Sequence, residues 1–82
     1  MKQVEWTEPA LEDIAALDKG IARRVKLAVE RFAETRAGNV KKLQGIEPPE
    51  YRLRVGDWRV RFHQDDTIIR VLRVLNRREA YR

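Results

Sequence analysis

The sequence contains no cysteine and only one histidine. The lack of cysteine excludes a disulfide scaffold, a zinc–thiolate site and a thiol nucleophile, and a single imidazole excludes metal sites that need several. No run approaches the roughly 18–20 apolar residues of a membrane span, and the N-terminus lacks the apolar stretch of a signal peptide. These absences predict a soluble, intracellular protein, and no cofactor is expected for it.

The positive charge of the chain is concentrated in its second half. The 82 residues, 43% of them hydrophobic, predict one small domain over residues 1–82. The formal net charge is +5. Residues 1–40 carry seven cations and seven anions, whereas residues 41–82 carry eleven cations and six anions. From Tyr51 onward every cation is an arginine, which is the side chain best suited to bidentate contact with phosphate.

The first half of the chain has the apolar spacing of helices. Residues 2–6 predict a short strand, and Thr7 is a suitable N-cap for the helix that follows. Gly20 is expected to break this helix, and a second helix should then continue to residues 38–39. The short link between the two helices predicts an antiparallel hairpin.

The second half has the alternating period of strands. A connector over residues 41–50 leads to strands at residues 51–55 and 58–63, joined by a tight turn at residues 56–57. A second two-residue turn at residues 65–66 leads to a strand over residues 67–75, apolar on both faces. Counting chain directions predicts that the N-terminal strand pairs in the antiparallel sense.

Two-residue turns place arginines together on one face of this sheet. Arg54 should face Arg59, Arg52 should face Arg61, and Arg61 should face Arg70 across the next strand. Like charges directly opposite each other destabilise a strand pair by up to about 1 kcal/mol. Stability alone therefore does not favour this face, whereas a bound polyanion does. Both a phosphate backbone and an acidic segment of a protein partner fit that description.

Residues 76–82 add three arginines and Tyr81 after the last strand. Tyr81 is suited to stacking on a base or to proton transfer, and equally to packing that pins the C-terminus. His63 is interpreted as structural, because nothing in its surroundings marks it as a general base. Trp6 and Trp58 are interpreted as core residues.

Two segments together resemble the RelE/ParE superfamily of bacterial and archaeal type II toxins, and the RelE branch above all. They are residues 51–60 (YRLRVGDWRV) and residues 77–82 (RREAYR). The likeness in element order covers nearly the whole chain. The resemblance implies an α+β fold with an N-terminal strand and an antiparallel helical hairpin, packed on one face of a twisted antiparallel four-stranded sheet.

The resemblance also implies a cytoplasmic toxin that a cognate acidic antitoxin wraps and neutralises. RelE-type members cut mRNA in the ribosomal A site without a metal, by attack of the ribose 2′-hydroxyl on the adjacent phosphate. By motif position the implied catalytic residues are Arg52, Arg54, Arg59, Arg77 and Tyr81. The residues expected to bind RNA phosphates are Arg61, Arg70, Arg78, Arg82, Lys41 and Lys42.

Three positions differ from the pattern of RelE toxins. Some members have lysines where Arg52 and Arg54 stand, and a guanidinium cannot serve as a general base at neutral pH. Many have histidine where Asn76 stands, and an amide cannot shuttle a proton. These differences leave two other functions open, a ParE-like inhibitor of DNA gyrase without nuclease activity and a non-catalytic nucleic-acid-binding module.

Overall fold

The sheet and helices follow the predicted α+β class. The computed structural model describes the backbone of residues 1–80 and the side chains of residues 1–78. The five strands form one mixed sheet in the order β1-β5-β4-β3-β2. No helix in the described part of the chain is both long and apolar enough to cross a membrane. The elements in chain order are β1 (Gln3–Trp6), α1 (Glu8–Ala15), α2 (Lys19–Thr35), β2 (Asn39–Lys42), β3 (Tyr51–Val55), β4 (Trp58–Gln64), β5 (Ile68–Asn76) and α3 (Arg77–Ala80).

The sheet has one strand more than the four that were predicted. The start of the expected connector is strand β2, which pairs antiparallel with β3 at the edge of the sheet. Its four residues contain a single apolar side chain, Val40, so it has no alternating hydrophobic pattern. The additional strand reverses the chain direction once more. As a consequence β1 is parallel to β5, and the antiparallel pairing obtained by counting directions is wrong.

Thr7 is the N-cap of α1, as its position in the sequence predicts. Its Oγ1 accepts a hydrogen bond from the backbone N–H of Ala10 at 3.3 Å, and the hydroxyl donates to the carbonyl of Val71 at 2.8 Å. The cap satisfies an N–H group that the first turn of a helix leaves without an intrahelical partner. Because Val71 belongs to β5, Thr7 also joins α1 to the sheet.

The boundaries of α2 differ from those that the glycines predict. Gly20 lies in the first turn of α2, and Asp18 is the N-cap, with its Oδ2 accepting from the N–H of Gly20 at 3.1 Å. The carboxylate cap outweighs the weak helix propensity of one glycine. At the other end, the backbone of Arg36 is left-handed, with a φ of 61°. Its N–H donates a hydrogen bond to the carbonyl of Phe32 in the last turn of the helix. Residues 38–39 therefore lead into β2.

The core lies between the helices and one face of the sheet, here called the inner face. Phe32 of α2 meets Phe62 of β4 with ring centroids 5.6 Å apart, and Tyr51 of β3 stacks on Phe62 at 5.6 Å. Trp6 and Trp58 are half-buried against this core. The buried hydrophobic residues are Ala10, Ile14, Val25, Val29, Phe32, Ala33, Leu53, Val55, Val60, Phe62, Ile69, Val71 and Val74.

Asp13 anchors α1 to the part of β5 that β1 does not reach. The pairing of β1 ends at Val71. Beyond it, Oδ2 of Asp13 accepts from the N–H of Val74 at 2.9 Å and from Nε of Arg73 at 2.8 Å. Burial by itself raises the pKa of the Asp13 carboxyl. The hydrogen bonds from Arg73 and Val74 outweigh burial and hold the pKa below its ordinary value.

Replacing Asp13 with Asn should lower the free energy of unfolding by about 1–2 kcal/mol near neutral pH, because charge-assisted bonds to Arg73 are lost. Since folding lowers the pKa of Asp13, this stabilisation exists above the unfolded pKa and disappears as the pH falls through the folded pKa. Urea denaturation at about pH 7 and at a series of lower pH values follows this loss. The exposed neighbour Glu12→Gln should change stability by less than about 0.5 kcal/mol. An Asp13→Asn effect as large in acid as at neutral pH would contradict this role.

Candidate nucleic-acid interface

The β3–β4 hairpin has the register that the sequence predicts. Its two-residue turn begins with Gly56, whose φ of 58° lies in the left-handed region that glycine adopts at little cost. Arg54 lies opposite Arg59, and Arg52 lies opposite Arg61. These four arginines are on the face of the sheet that points away from the core, here called the outer face.

The connection between β4 and β5 is longer than the predicted two-residue turn. The N–H of Asp65 donates to the carbonyl of Ile68 at 3.0 Å. Oδ1 of Asp65 accepts from the N–H groups of Thr67 and Ile68, each at 2.8 Å. These backbone bonds lower the pKa of Asp65, with Thr67 as the largest cause. The aspartate therefore closes a wider loop, in which side-chain bonds to the backbone replace the tight hairpin turn.

A β-bulge shifts the register between β4 and β5 further. The partner of Phe62 is Val71, but the partner of the preceding Arg61 is Arg73. The prediction that Arg61 faces Arg70 is therefore wrong. Arg61 still lies opposite an arginine, because its partner is Arg73. The like-charge repulsion that the sequence predicts is therefore present, with Arg73 in place of Arg70.

The outer face consists of three rows of side chains that run across the strands. The turn row, nearest the β3–β4 turn, contains Asn39, Arg54, Arg59 and Leu75. The middle row is entirely cationic and contains Lys41, Arg52, Arg61 and Arg73. The far row contains His63, Arg70 and Glu5. Opposed cations in the middle row repel each other, and a bound anion would relieve that repulsion.

Carboxylates neutralise the far row and part of the middle row. Each binds one arginine, with shortest N–O distances between 2.6 and 3.3 Å. The pairs are Arg61–Glu50, Arg70–Glu5 and Arg73–Asp13. The outer face is therefore partly neutralised, so it carries less excess charge than the five-arginine face expected from the sequence.

Arg59 is buried in the turn row, with 5% of its surface exposed. Its Nη1 donates to the carbonyls of Gly56 at 3.0 Å and Trp58 at 3.1 Å. Among the side chains of residues 1–78, no carboxylate lies within 4.0 Å of this guanidinium, and its buried Nε has no hydrogen-bond partner. A buried cation without a counter-charge is destabilising. The low local dielectric also strengthens its attraction for a nearby anion.

Arg77 begins α3 beside the same turn. Its N–H donates to the carbonyl of Asp57 at 2.7 Å, and its Nη1 lies 4.0 Å from Oδ1 of Asp57. Oδ1 of Asn76 accepts from the N–H of Arg78 at 3.2 Å. These four residues and Trp58 line an open cavity of about 630 Å³. The β3–β4 turn therefore positions Arg77 as well as the buried arginine of the turn row.

The remaining predicted residues are distributed between the two faces. Lys41 is on the outer face, whereas Lys42 lies opposite the core-packed Tyr51 and so belongs to the inner side of β2. Tyr81 and Arg82 lie outside the described residues. Within the described part of the chain, no group of three or more His, Asp or Glu side chains is placed to hold a metal ion.

The sequence analysis missed a second basic surface, on α2. Arg24 and Arg31 flank Leu27, which is 54% exposed, and the three residues line a groove of about 500 Å³ between α2 and β3. Arg54 and Leu53 line its other wall, and none of its lining residues, all within the described chain, is acidic. The spacings of three and four place these α2 residues on one helix face, so the pattern was present in the sequence.

Comparison with known proteins identifies the family. Residues 4–81 match the family model of the ParE toxin of type II toxin–antitoxin systems, parDE. The chain therefore belongs to the ParE toxin family, and the superfamily inferred from residues 51–60 and 77–82 is confirmed.

Solved structures of several toxins share the fold. The RelB–RelE antitoxin–toxin complex from Methanococcus jannaschii has 25% identity over 94% of each chain, with a TM-score of 0.75. The RelE–RelB complex from Pyrococcus horikoshii OT3 has 24% identity over 93% of this chain and 94% of that chain, with a TM-score of 0.76. The DinJ–YafQ complex from E. coli has 15% identity over 99% of this chain and 98% of that chain, with a TM-score of 0.78. No curated protein matches the chain in sequence.

Arg59→Met should raise the free energy of unfolding by about 1 kcal/mol, because an apolar side chain of similar length removes a buried charge that no described carboxylate neutralises. The matched control is Arg70→Met, which removes an exposed arginine paired with Glu5 and should change stability by less than about 0.5 kcal/mol. Thermal and urea unfolding of the purified proteins measure both. A large loss of stability in Arg59→Met would mean that the bonds to the turn carbonyls outweigh the cost of the charge.

Proposed function

We propose that this toxin is a ribosome-dependent endoribonuclease that cuts mRNA without a metal ion in the cytoplasm of a bacterium or an archaeon. The observation that carries the proposal is the buried charge of Arg59, which no described carboxylate neutralises, beside an entirely cationic row. Such a surface suits the RNA backbone, since phosphates supply the missing negative charge. The sequence resemblance to RelE toxins implies the same class of reaction.

In the proposed reaction the ribose 2′-hydroxyl gives up its proton to water, and its oxygen attacks the adjacent phosphorus. The bond from phosphorus to the 5′-oxygen breaks, and the 5′-oxygen takes a proton from the hydroxyl of Tyr81, a side chain suited to proton transfer. The products are a 2′,3′-cyclic phosphate and a 5′-hydroxyl. Arg59 and Arg77 stabilise the negative charge that grows on the phosphoryl oxygens. Arg52 and Arg54 hold the backbone electrostatically, because guanidinium groups do not accept protons.

Arg59→Ala should slow cleavage in the ribosomal A site by about 10²–10³-fold, since it removes one preorganised positive charge from the transition state. The measurement is in vitro translation of a defined message with purified toxin, followed by mapping of the cut ends. Arg23→Ala, which removes an exposed arginine of α2, is the control and should cut like the wild type. A message that stays intact at doses of the wild type that stop growth would exclude the nuclease.

The partner that we propose is an acidic antitoxin, as in the antitoxin–toxin complexes to which the chain is similar. The groove formed by Arg24, Leu27 and Arg31 suits an amphipathic segment with apolar and acidic side chains, because its walls are apolar and basic.

Leu27→Asp should leave the toxin active but abolish rescue by the protein encoded in a small neighbouring gene. The carboxylate would repel the acidic segment and remove the apolar contact. Leu11→Asp is a matched control on α1, because Leu11 is 51% exposed and Leu27 is 54% exposed. Co-expression and growth measurements compare the two variants. Equal rescue of both would place the antitoxin elsewhere on the toxin.

The second candidate function is inhibition of DNA gyrase without nuclease chemistry. It is favoured by the match to the ParE family model and by Asn76, which cannot move a proton. The accumulation of cleaved DNA in reactions that contain gyrase and toxin distinguishes it from RNA cleavage. An intact message together with gyrase-dependent DNA breaks would support this candidate over the first.

A further inference from the structure

The carboxylate of Glu50 occupies one edge of the Arg61 guanidinium on the outer face of the sheet. Its Oε2 accepts a hydrogen bond from Nε of Arg61 at 2.9 Å and lies 2.6 Å from Nη2. Two neighbouring nitrogens of an arginine can bind the oxygens of a carboxylate or of a phosphate in the same geometry. An anion that belongs to the protein therefore fills a position in which a phosphate of a bound strand could lie.

The backbone helps to hold Glu50 at this position. Glu50 directly precedes β3, and its carbonyl accepts a hydrogen bond from the N–H of Leu43 at 2.9 Å. The side chain of Glu50 is 15% exposed and that of Arg61 is 31% exposed. Salt screens a partly buried pair less than it screens an exposed one. A phosphate thus has to displace a preorganised carboxylate before it can bind Arg61.

The ion pair of the far row is a weaker competitor of the same kind. Glu5 and Arg70 are both exposed, and their closest nitrogen and oxygen are 3.3 Å apart. Exposed pairs of this kind contribute little free energy, because water solvates both partners when they separate. A phosphate can therefore take the place of Glu5 at small cost, whereas Glu50 should keep Arg61 from a bound strand.

The only histidine of the chain adjoins the Glu50–Arg61 pair. Nε2 of His63 lies 3.9 Å from Oε1, the second oxygen of the Glu50 carboxylate. Imidazole gains a proton as the pH falls through the physiological range. With His63 neutral, the charges of Glu50 and Arg61 sum to zero. With His63 protonated, the three side chains carry one net positive charge, and two cations share one carboxylate.

The other charged groups near His63 balance each other. Arg70 lies opposite His63 on β5, and Glu5 of β1 pairs with Arg70. The described charged side chains that face the imidazole are therefore Glu50, Arg61, Arg70 and Glu5. Because carboxylates and guanidinium groups keep their charges between about pH 5.5 and 7.5, the net charge of this part of the outer face changes with His63 alone.

We propose that Glu50 competes with nucleic-acid phosphates for Arg61, and that protonation of His63 weakens this competition. At neutral pH, Glu50 withholds Arg61, so a bound strand makes one phosphate contact fewer than the arginines of the outer face would allow. In mild acid, the strand gains that contact. The inference rests on the proposed function for the identity of the polyanion, but the binding that it describes needs no catalysis.

The salt dependence of binding counts the phosphates that the protein contacts. The ligand is a labelled single-stranded 2′-deoxy oligonucleotide of about ten residues, which has no 2′-hydroxyl and cannot be cut. For single strands, the slope of log affinity against log salt is about −0.7 for each phosphate contacted. At about pH 7.5, Glu50→Gln should steepen this slope by about 0.7 and raise the affinity in low salt about fivefold, as fluorescence anisotropy measures.

Two further variants separate the release of Arg61 from a general effect of charge. Asp66→Asn changes the net charge by the same amount, and Asp66 is exposed and lies more than 4.0 Å from the cationic nitrogens of the described side chains. It should therefore leave the slope close to that of the wild type. In the Glu50→Gln protein, the additional change Arg61→Met should remove the gained contact and restore the wild-type slope.

The wild type provides a second measurement, so poor folding of Glu50→Gln does not prevent the test. Between about pH 7.5 and about pH 5.5, the wild-type slope should steepen by about 0.7, because His63 becomes charged. His63→Gln should have the same slope at both pH values. Glu50→Gln should change less than the wild type, because its Arg61 is available throughout. The N-terminal amine titrates in all three proteins, so its effect cancels in the comparison.

An unchanged slope in a folded Glu50→Gln protein, or an equal change in Asp66→Asn, would overturn the competition. A wild-type slope that does not depend on pH would overturn the role of His63. A pair that only stabilises the fold predicts a lower melting temperature for Glu50→Gln without any gain in affinity. If the slopes behave as expected but messages stay intact on ribosomes, the proposed nuclease fails while the competition stands. If messages are cut and the slopes are equal, only this inference fails.

Discussion

An arginine with 5% of its surface exposed, and with no described carboxylate to neutralise it, lies at the turn of the β3–β4 hairpin. Burying a cation costs free energy unless hydrogen bonds or an anion compensate it. The turn offsets part of that cost with the carbonyls of Gly56 and Trp58. The same turn fixes Arg77 through the carbonyl of Asp57. The backbone of one short turn thus holds both Arg59 of β4 and Arg77 of α3. Two cations fixed in this way can bind an anion at a defined position.

The outer face divides its charges between stability and binding. Carboxylates from β1, from α1 and from the residue preceding β3 bind the arginines of the far row and part of the middle row, and these pairs secure β5 and β4. In the turn row, Arg54 and Arg59 lie directly opposite each other. Self-repulsion in that region lowers the stability of the free toxin. A polyanionic ligand and an acidic antitoxin would each relieve the repulsion, so either partner should stabilise the fold by mass action.

The sequence predicted the β3–β4 hairpin because strict alternation on both sides of a glycine turn allows only one register. It did not predict β2, a four-residue edge strand with one apolar side chain, and this omission also reversed the expected direction of β1. The bulge beside Arg61 could not be predicted from the sequence. Because β5 is apolar on both faces, an additional residue does not interrupt any alternation of polar and apolar side chains. The arginines of the site were found from their alternation and from the family resemblance. The burial of Arg59 depends on how the chain packs around the turn, which no local pattern encodes.

The central claim is that the charge of Arg59 is retained to bind an anion. The most direct test is the melting temperature of the wild type and of Arg59→Met as a function of inorganic phosphate, with matched sodium chloride as the ionic-strength control. General exclusion of phosphate from protein surfaces raises both melting temperatures equally, so the difference between the two proteins isolates the site. We expect the wild type to gain more stability than the variant and the difference to saturate with phosphate. Parallel increases for the two proteins at all concentrations would contradict the account.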